Sequence, residues 1–112
     1  MNLDKLAKSL HETAREKGFW EPMHRMEHED IFVFYAKQIA MIHSEATEVL
    51  EALRKNKGQV AVVEELSDIV IRVLDLYAGM LRNGDVQESF HDTLQSKAKF
   101  NTTRPKMHGV AG

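Results

Sequence analysis

The chain has 112 residues, 43% of them hydrophobic and 29% charged, a composition that predicts one ordinary globular domain covering residues 1–112. It contains no cysteine, which excludes disulfides, thiolate zinc sites and thiol nucleophiles. A net charge of −2 argues against general affinity for nucleic-acid polymers, and no apolar run approaches the roughly 20 residues of a membrane span. Since no export signal is recognisable, we expect a cytoplasmic protein that does not associate with membranes.

The spacing of apolar residues predicts an all-α protein, a four-helix bundle-like protomer with antiparallel central helices. Asn2 and Asp30 are the expected N-caps of the first two helices, and Gly18 and Gly58 are their expected ends. The segment Asp85-Val86-Gln87-Glu88 has the form of a capping box. The four predicted helices run from Asn2 to Gly18, from Asp30 to Lys57, from about Gln59 to Arg82, and from Asp85 to about Phe100.

Two acidic pairs with the same spacing are the most informative feature of the chain. Glu45 and Glu48 lie three residues apart beside the apolar stripe of the second predicted helix, and Glu65 and Asp68 repeat this offset on the third. If the two helices pack antiparallel, the four carboxylates converge at one edge of the core and repel strongly unless a divalent cation neutralises them. Such oxygen ligands suit Mg²⁺, with Mn²⁺ as a substitute, and these ions most often serve phosphate chemistry. The alternative is that the acids are only solvated.

A basic tail, residues 97–112, ends the chain, and we predict it to be irregular beyond the end of the fourth helix near Phe100. Its cations are close enough together to hold a polyphosphate against the acidic pairs. The alternative is a solvated basic C-terminus without a ligand. The basic residues of this segment are Lys97, Lys99, Arg104, Lys106 and His108.

The run Ile31-Phe32-Val33-Phe34-Tyr35 is apolar on every side of the second predicted helix. In a single exposed helix this would leave aromatic surface in water, so we expect a homodimer or a dimer of dimers. A buried β-strand is the alternative interpretation of the same run, because β-branched and aromatic residues favour strands.

The acidic motifs resemble those of the MazG-like nucleotide pyrophosphohydrolases, which belong to the all-α NTP pyrophosphatase superfamily. That family carries E-x-x-E on one helix and E-x-x-D on the next, matched here by Ser44-Glu45-Ala46-Thr47-Glu48 and Glu64-Glu65-Leu66-Ser67-Asp68. Ser44 stands where stricter members have Glu. Many relatives also end in a segment with Lys, Asn, Arg and His-Gly, so the resemblance covers nearly the whole chain. The positions that match this last segment are Lys97, Asn101, Arg104-Pro105 and His108-Gly109.

The resemblance implies a Mg²⁺-dependent enzyme that hydrolyses a (d)NTP with water to the (d)NMP and pyrophosphate, in the sanitation or control of the nucleotide pool. It also implies a homodimer or homotetramer. The catalytic residues and metal ligands that it implies are Glu45, Glu48, Glu65 and Asp68. The substrate-binding residues that it implies are Lys97, Asn101, Arg104 and His108.

Trp20 lies in residues 19–29, which contain Pro22 and no clear period, and which we predict to be a connection. An aromatic ring there can stack on a nucleobase, so Trp20 is a further candidate for substrate binding. The alternative role is packing at a subunit interface.

Two other functions fit parts of the sequence. A non-catalytic helical interaction module would use the apolar run to bind a partner and would have no metal affinity. A di-iron carboxylate bundle needs Glu-x-x-His from two helices. Glu88-Ser89-Phe90-His91 has that form, whereas Glu21-Pro22-Met23-His24 falls in the predicted connection.

Overall fold

The structure, a computed structural model, describes residues 1–25 and 28–105. In these residues there is no β-strand, and a short 3-10 helix at Glu21–Arg25 connects the first two helices. The all-α prediction is confirmed, and the strand alternative for residues 31–35 is wrong because they lie within a long helix. The α-helices are α1 (Leu3–Glu16), α2 (His28–Arg54), α3 (Gln59–Arg82) and α4 (Phe90–Asn101).

Helices α2 and α3 form a hairpin across a turn at residues 55–58. We predicted that α2 would reach Lys57 and end at Gly58, and both points are wrong. Asn56 adopts the left-handed conformation with φ 50°. The Lys57 N–H then donates back to the carbonyl of Ala52 at 3.0 Å. This pattern of bonds satisfies the last carbonyls of the helix, so α2 ends at Arg54.

Helix α4 begins later than predicted. Its N-cap is Ser89, whose hydroxyl accepts a hydrogen bond from the Asp92 N–H at 3.1 Å. Asp85 does not cap it, because its carboxylate instead accepts hydrogen bonds from the Tyr35 hydroxyl at 2.6 Å and from Asn83 at 2.8 Å. The helix ends at Asn101, one residue beyond its predicted end near Phe100, so the first part of the predicted irregular tail 97–112, residues 97–101, is helical.

Helix α3 is the central element, because it packs against both α2 and α1. Two buried clusters hold these three helices together. The cluster between α2, α3 and the turn before the 3-10 helix consists of Trp20, Phe34, Tyr35 and Leu76. The cluster between α1 and α3 consists of Ala7, Leu74 and Ala78.

The N-termini of α1 and α4 cap each other. The Asp4 carboxylate accepts hydrogen bonds from the Ser89 hydroxyl and from the His91 N–H. In return, the Leu3 N–H donates to Nδ1 of His91 at 3.1 Å. These bonds satisfy backbone donors that a helix N-terminus otherwise leaves without partners. They therefore attach α4 to the rest of the protomer at one end.

The protomer exposes more surface than a self-contained domain of its size. Its accessible area is 8631 Å² and its radius of gyration 16.6 Å. A compact monomer of this mass has about 6,300 Å² and about 13 Å. The exposed large apolar side chains of the hairpin include Phe32, Val33, Ile39, Leu50, Leu53, Val60, Val63, Leu66, Val70 and Ile71. In the part of the chain that the structure describes, no helix is both long and apolar enough to cross a membrane.

Candidate metal centre

Three of the four predicted metal ligands lie together. Glu45 on α2 and Glu65 and Asp68 on α3 each offer a carboxylate oxygen, and these oxygens lie within 4.8 Å of one another. Two oxygens bound to one octahedral Mg²⁺ lie about 3.0 Å apart when they are adjacent and about 4.2 Å apart when they are opposite, since each Mg–O bond is about 2.1 Å. The three side chains are therefore near enough to share one ion if they move closer together by an ångström or two.

Glu48 is the fourth predicted ligand, and it lies at the rim of this acid group. It is exposed and does not share the 4.8 Å grouping of the other three residues. Its charge still reaches the group, because it contributes to the raised pKa of Glu65. Glu48 therefore adds negative charge to the acid group but is not one of the three residues whose oxygens lie together.

The electrostatics of the acid group favour a cation. The pKa of Glu65 is raised above its ordinary value, first by partial burial and then by the negative charges of Asp68, Glu48 and Glu45. The three neighbouring carboxylates thus disfavour the ionisation of Glu65. A divalent cation reverses this cost, because it interacts favourably with all of them.

Arg72 is part of this site, although the sequence analysis did not include it. Its Nε donates to Oε1 of Glu45 at 2.8 Å, and the Glu45 side chain is only 17% exposed. The signal in the sequence was its position four residues after Asp68, which places both side chains on one face of α3. Arg72 offsets part of the negative charge.

A cleft of about 470 Å³ opens beside the acid group. Glu45 and Asp68 lie on one wall together with Arg72, while the C-terminal part of α1 and the loop after it supply Lys17 and Phe19. Phe19 is 65% exposed. The cleft thus combines carboxylates, two cations and an available aromatic ring, which are the chemical groups that a nucleotide contacts.

Trp20 does not lie in this cleft but in the core. Its side chain is 3% exposed, and its ring packs against Phe34 and His11. The indole N–H donates to both carboxylate oxygens of Asp75, at 2.9 and 3.1 Å, and His11 contacts the same carboxylate at 2.8 Å. The suggested stacking on a nucleobase is therefore wrong for this arrangement, and the packing is within the protomer rather than at a subunit interface.

The predicted phosphate-binding residues are separated from the acid group in the protomer. Lys97, Asn101 and Arg104 are exposed, and none of them forms part of the cleft. Helix α4 packs against the N-terminal end of α1, and its first residue Phe90 contacts Tyr77 of α3, whereas the cleft is lined by the C-terminal part of α1. His108 lies outside the described residues.

Histidine takes no part in the acid group. Among the described residues, the one group able to hold a metal ion contains only carboxylates. His91, which the di-iron alternative requires as a ligand, accepts a hydrogen bond from the α1 backbone instead. The structure therefore gives no support to a di-iron centre.

Comparisons of the chain with protein-family models, with curated proteins and with solved structures find no match. The likeness to MazG-like enzymes therefore consists of the motifs in the sequence.

Proposed function

We propose that the protein is a Mg²⁺-dependent nucleoside triphosphate pyrophosphohydrolase, which converts a (d)NTP and water to the (d)NMP and pyrophosphate. The observation that carries this proposal is the convergence of Glu45, Glu65 and Asp68 across the α2–α3 hairpin. Mn²⁺ would substitute for Mg²⁺, because both are hard cations that prefer oxygen ligands.

The residues of the acid group fit such an ion by number and chemistry. Glu45, Glu65 and Asp68 would hold it, and Glu48 would orient a coordinated water or a second ion from the rim. Bound Mg²⁺ would bring together substrate oxygens, stabilise phosphoryl charge and lower the pKa of its water. No side chain is then needed as a nucleophile, which agrees with the absence of cysteine from the chain.

The cleft supports a nucleotide as the substrate. Its volume of about 470 Å³ is in the range of small-molecule sites. Phosphates placed at Glu45 and Asp68 through the cation would leave the nucleoside near the rim of the cleft, where Phe19 is exposed. Phe19 therefore replaces Trp20 in our proposal as the aromatic that contacts the base.

A second copy of the chain would complete this site. We propose a homodimer or homotetramer in which the exposed apolar surfaces of α2 and α3 pack into a bundle-like arrangement, since the protomer exposes about 2,300 Å² more than a compact monomer of its mass. Because Lys97, Asn101 and Arg104 do not line the cleft of their own chain, we propose that they act in the cleft of a neighbouring subunit.

A screen of the common ribo- and deoxynucleoside triphosphates for pyrophosphate release tests the proposal. We expect Mg²⁺-dependent formation of equal amounts of monophosphate and pyrophosphate from at least one of them, and loss of this activity with EDTA. Release of inorganic phosphate and a diphosphate would contradict the proposed position of cleavage. Failure of every nucleotide to react would contradict the function itself.

The non-catalytic interaction module remains the second candidate. The ion pair between Arg72 and Glu45 favours it, because an arginine can neutralise a carboxylate without any metal. The exposed apolar surface of the hairpin would then bind a different protein. This candidate predicts that Mg²⁺ has no effect on stability, which separates it from the enzyme.

A further inference from the structure

Arg72 connects the acid group to the open space beside it. Its side chain is 34% exposed, and it forms part of the walls of both the 470 Å³ cleft and a neighbouring cleft of about 240 Å³. The two clefts share Phe19, Arg72 and Asp75. Arg72 therefore lies between a carboxylate of the proposed cation site and the region where a substrate would bind.

The guanidinium group of Arg72 retains donors for a ligand. Its Nε is used by Glu45 at 2.8 Å, and its Nη1 lies 4.0 Å from the sulfur of Met41, which is a weak acceptor. Among the described residues, no other hydrogen bond to its Nη atoms is found. A guanidinium group anchored through Nε can still present its Nη donors as a pair, and this geometry matches two oxygens of a phosphate.

A triphosphate bound in the cleft would need such a contact to balance its negative charge. A triphosphate carries more negative charge than one divalent cation neutralises, so enzymes of this chemistry add Arg or Lys side chains. Within the described residues of one protomer, the cations on the cleft wall are Lys17 and Arg72, and Lys37 lies in the neighbouring cleft. Of these three, Arg72 has a defined position, because its ion pair with Glu45 fixes it.

We propose that Arg72 is a triphosphate-binding residue, held by Glu45 at the edge of the acid group so that its Nη atoms donate to phosphate oxygens. The inference rests on the proposed function and adds to it a phosphate contact from α3 itself, independent of the C-terminal tail. The rival role for Arg72 is that of a counter-ion to Glu45 with no contact to substrate.

Two binding measurements on the full-length protein separate these roles. The first is the affinity for Mn²⁺ without nucleotide, followed by electron paramagnetic resonance. The second is the affinity, with Mg²⁺ present, for the α,β-methylene analogues of the common ribo- and deoxynucleoside triphosphates, whose P–C–P bridge resists cleavage. The variants are Arg72→Met, Arg72→Lys and, as a matched control, Arg54→Met, which removes an arginine from an exposed ion pair with Glu51.

We expect Arg72→Met to bind the best analogue roughly ten- to a hundredfold more weakly, while it binds Mn²⁺ at least as tightly as wild type because a competing cation is gone. Arg72→Lys keeps the charge but not the paired donors, so its loss of analogue affinity should lie between those of wild type and Arg72→Met. Circular dichroism establishes whether each variant folds. If Arg72→Met does not fold, the comparison of affinities uses Arg72→Lys alone.

Analogue affinity within twofold of wild type in a folded Arg72 variant would overturn the inference. An equal loss of analogue affinity in Arg54→Met would also overturn the inference, since that loss would reflect the change in net charge alone. A wild-type protein that binds Mn²⁺ but none of the ribo- and deoxynucleotide analogues, or that binds no Mn²⁺, would instead contradict the proposed function. The two failures are therefore distinguishable.

Discussion

Gly79 lies against the indole ring of Trp20 so closely that a Cβ atom on Gly79 would be 2.1 Å from Cη2 of Trp20. In a helix interior, Gly→Ala ordinarily stabilises a protein by about 0.5–1 kcal/mol. Here the added methyl group meets a buried ring that Asp75 and Phe34 hold in place. We therefore predict that Gly79→Ala lowers the free energy of unfolding by about 1–3 kcal/mol, measured by urea denaturation.

The control for this prediction is Gly79→Ala in a Trp20→Phe background. The smaller ring removes the atoms that the new methyl group would meet, so the cost of Gly79→Ala should shrink or change sign. A single Gly79→Ala variant that is more stable than wild type would contradict the described position of Trp20.

Acid should weaken the connection between α1 and α4. The pKa of Asp4 lies below its ordinary value of 3.8, chiefly because the Ser89 hydroxyl donates to its carboxylate and also because the His91 N–H does. The folded state therefore favours ionised Asp4. This contribution to stability is present above the unfolded pKa and is lost as the pH falls through the lowered folded pKa.

Asp4→Ala tests that contribution. We predict a loss of about 0.5–2 kcal/mol at neutral pH, the usual range for a helix cap, and a smaller difference from wild type in strong acid. Denaturation of both proteins across this pH range measures it, with Glu12→Ala as a control on an exposed carboxylate of the same helix. A difference that does not change with pH would exclude the ionised carboxylate as its source.

Removal of single acids should affect activity in a particular order. We predict that Asp68→Asn abolishes nucleotide hydrolysis and that Glu48→Gln also lowers it strongly, since both act on the cation. Asp68→Asn should have the larger effect because Asp68 lies within the 4.8 Å group and Glu48 at its rim. Neither change should unfold the protein, as each relieves repulsion among carboxylates.

Glu64→Gln is the matched control, because it removes an exposed carboxylate beside Glu65 that is not part of the group. Its kcat/KM should equal that of wild type. Full activity of Asp68→Asn, or an equal loss in Glu64→Gln, would be inconsistent with the assigned site.

Mixed dimers of Arg104→Ala and Asp68→Asn should be active if the tail of one subunit acts in the cleft of the other. We predict that Arg104→Ala alone loses roughly ten- to a hundredfold in kcat/KM through a lost contact of about 1.5–3 kcal/mol. In a dimer refolded from equal amounts of Arg104→Ala and Asp68→Asn, half the molecules would be mixed and would each carry one intact site. Activity should then return to about a quarter of the wild-type value.

Light scattering on the same samples measures the oligomeric state. No recovery of activity in a stable dimer would mean that the tail acts within its own subunit or not at all. A stable monomer at micromolar concentrations would contradict the proposed assembly.

The hairpin and its acid group could be predicted from sequence because both are local patterns. The offset of each acidic pair from an apolar stripe depends only on helix periodicity, and a short turn makes neighbouring helices antiparallel. The ion pair of Arg72 with Glu45 could not be predicted in the same way. It depends on how far α2 and α3 slide along each other, and that register follows from the turn between them, in which both Asn56 and Gly58 have a positive φ.

The position of Trp20 shows a second limit. The local sequence indicates only an aromatic residue in a connection with Pro22. Its burial depends on an acceptor and a space more than 50 residues later in the chain, namely Asp75 and Gly79 on one face of α3. The start of α4 also depends on residues far away in the chain. Ser89 contacts Asp4, whereas Asp85 is bound by the Tyr35 hydroxyl, so Ser89 rather than Asp85 caps the helix.

The most direct test of the account is a Mg²⁺ titration that follows thermal unfolding of wild-type protein and of Glu65→Gln, at constant ionic strength. A ligand that binds only the folded state raises its stability by about 2.7 kcal/mol at a concentration of 100 times its Kd. We predict a saturable rise in the Tm of the wild-type protein, and a much smaller rise at the same Mg²⁺ concentration for Glu65→Gln, which starts from an equal or higher Tm without metal. A wild-type Tm that does not respond to Mg²⁺, or an identical response in Glu65→Gln, would contradict a cation site at Glu45, Glu65 and Asp68.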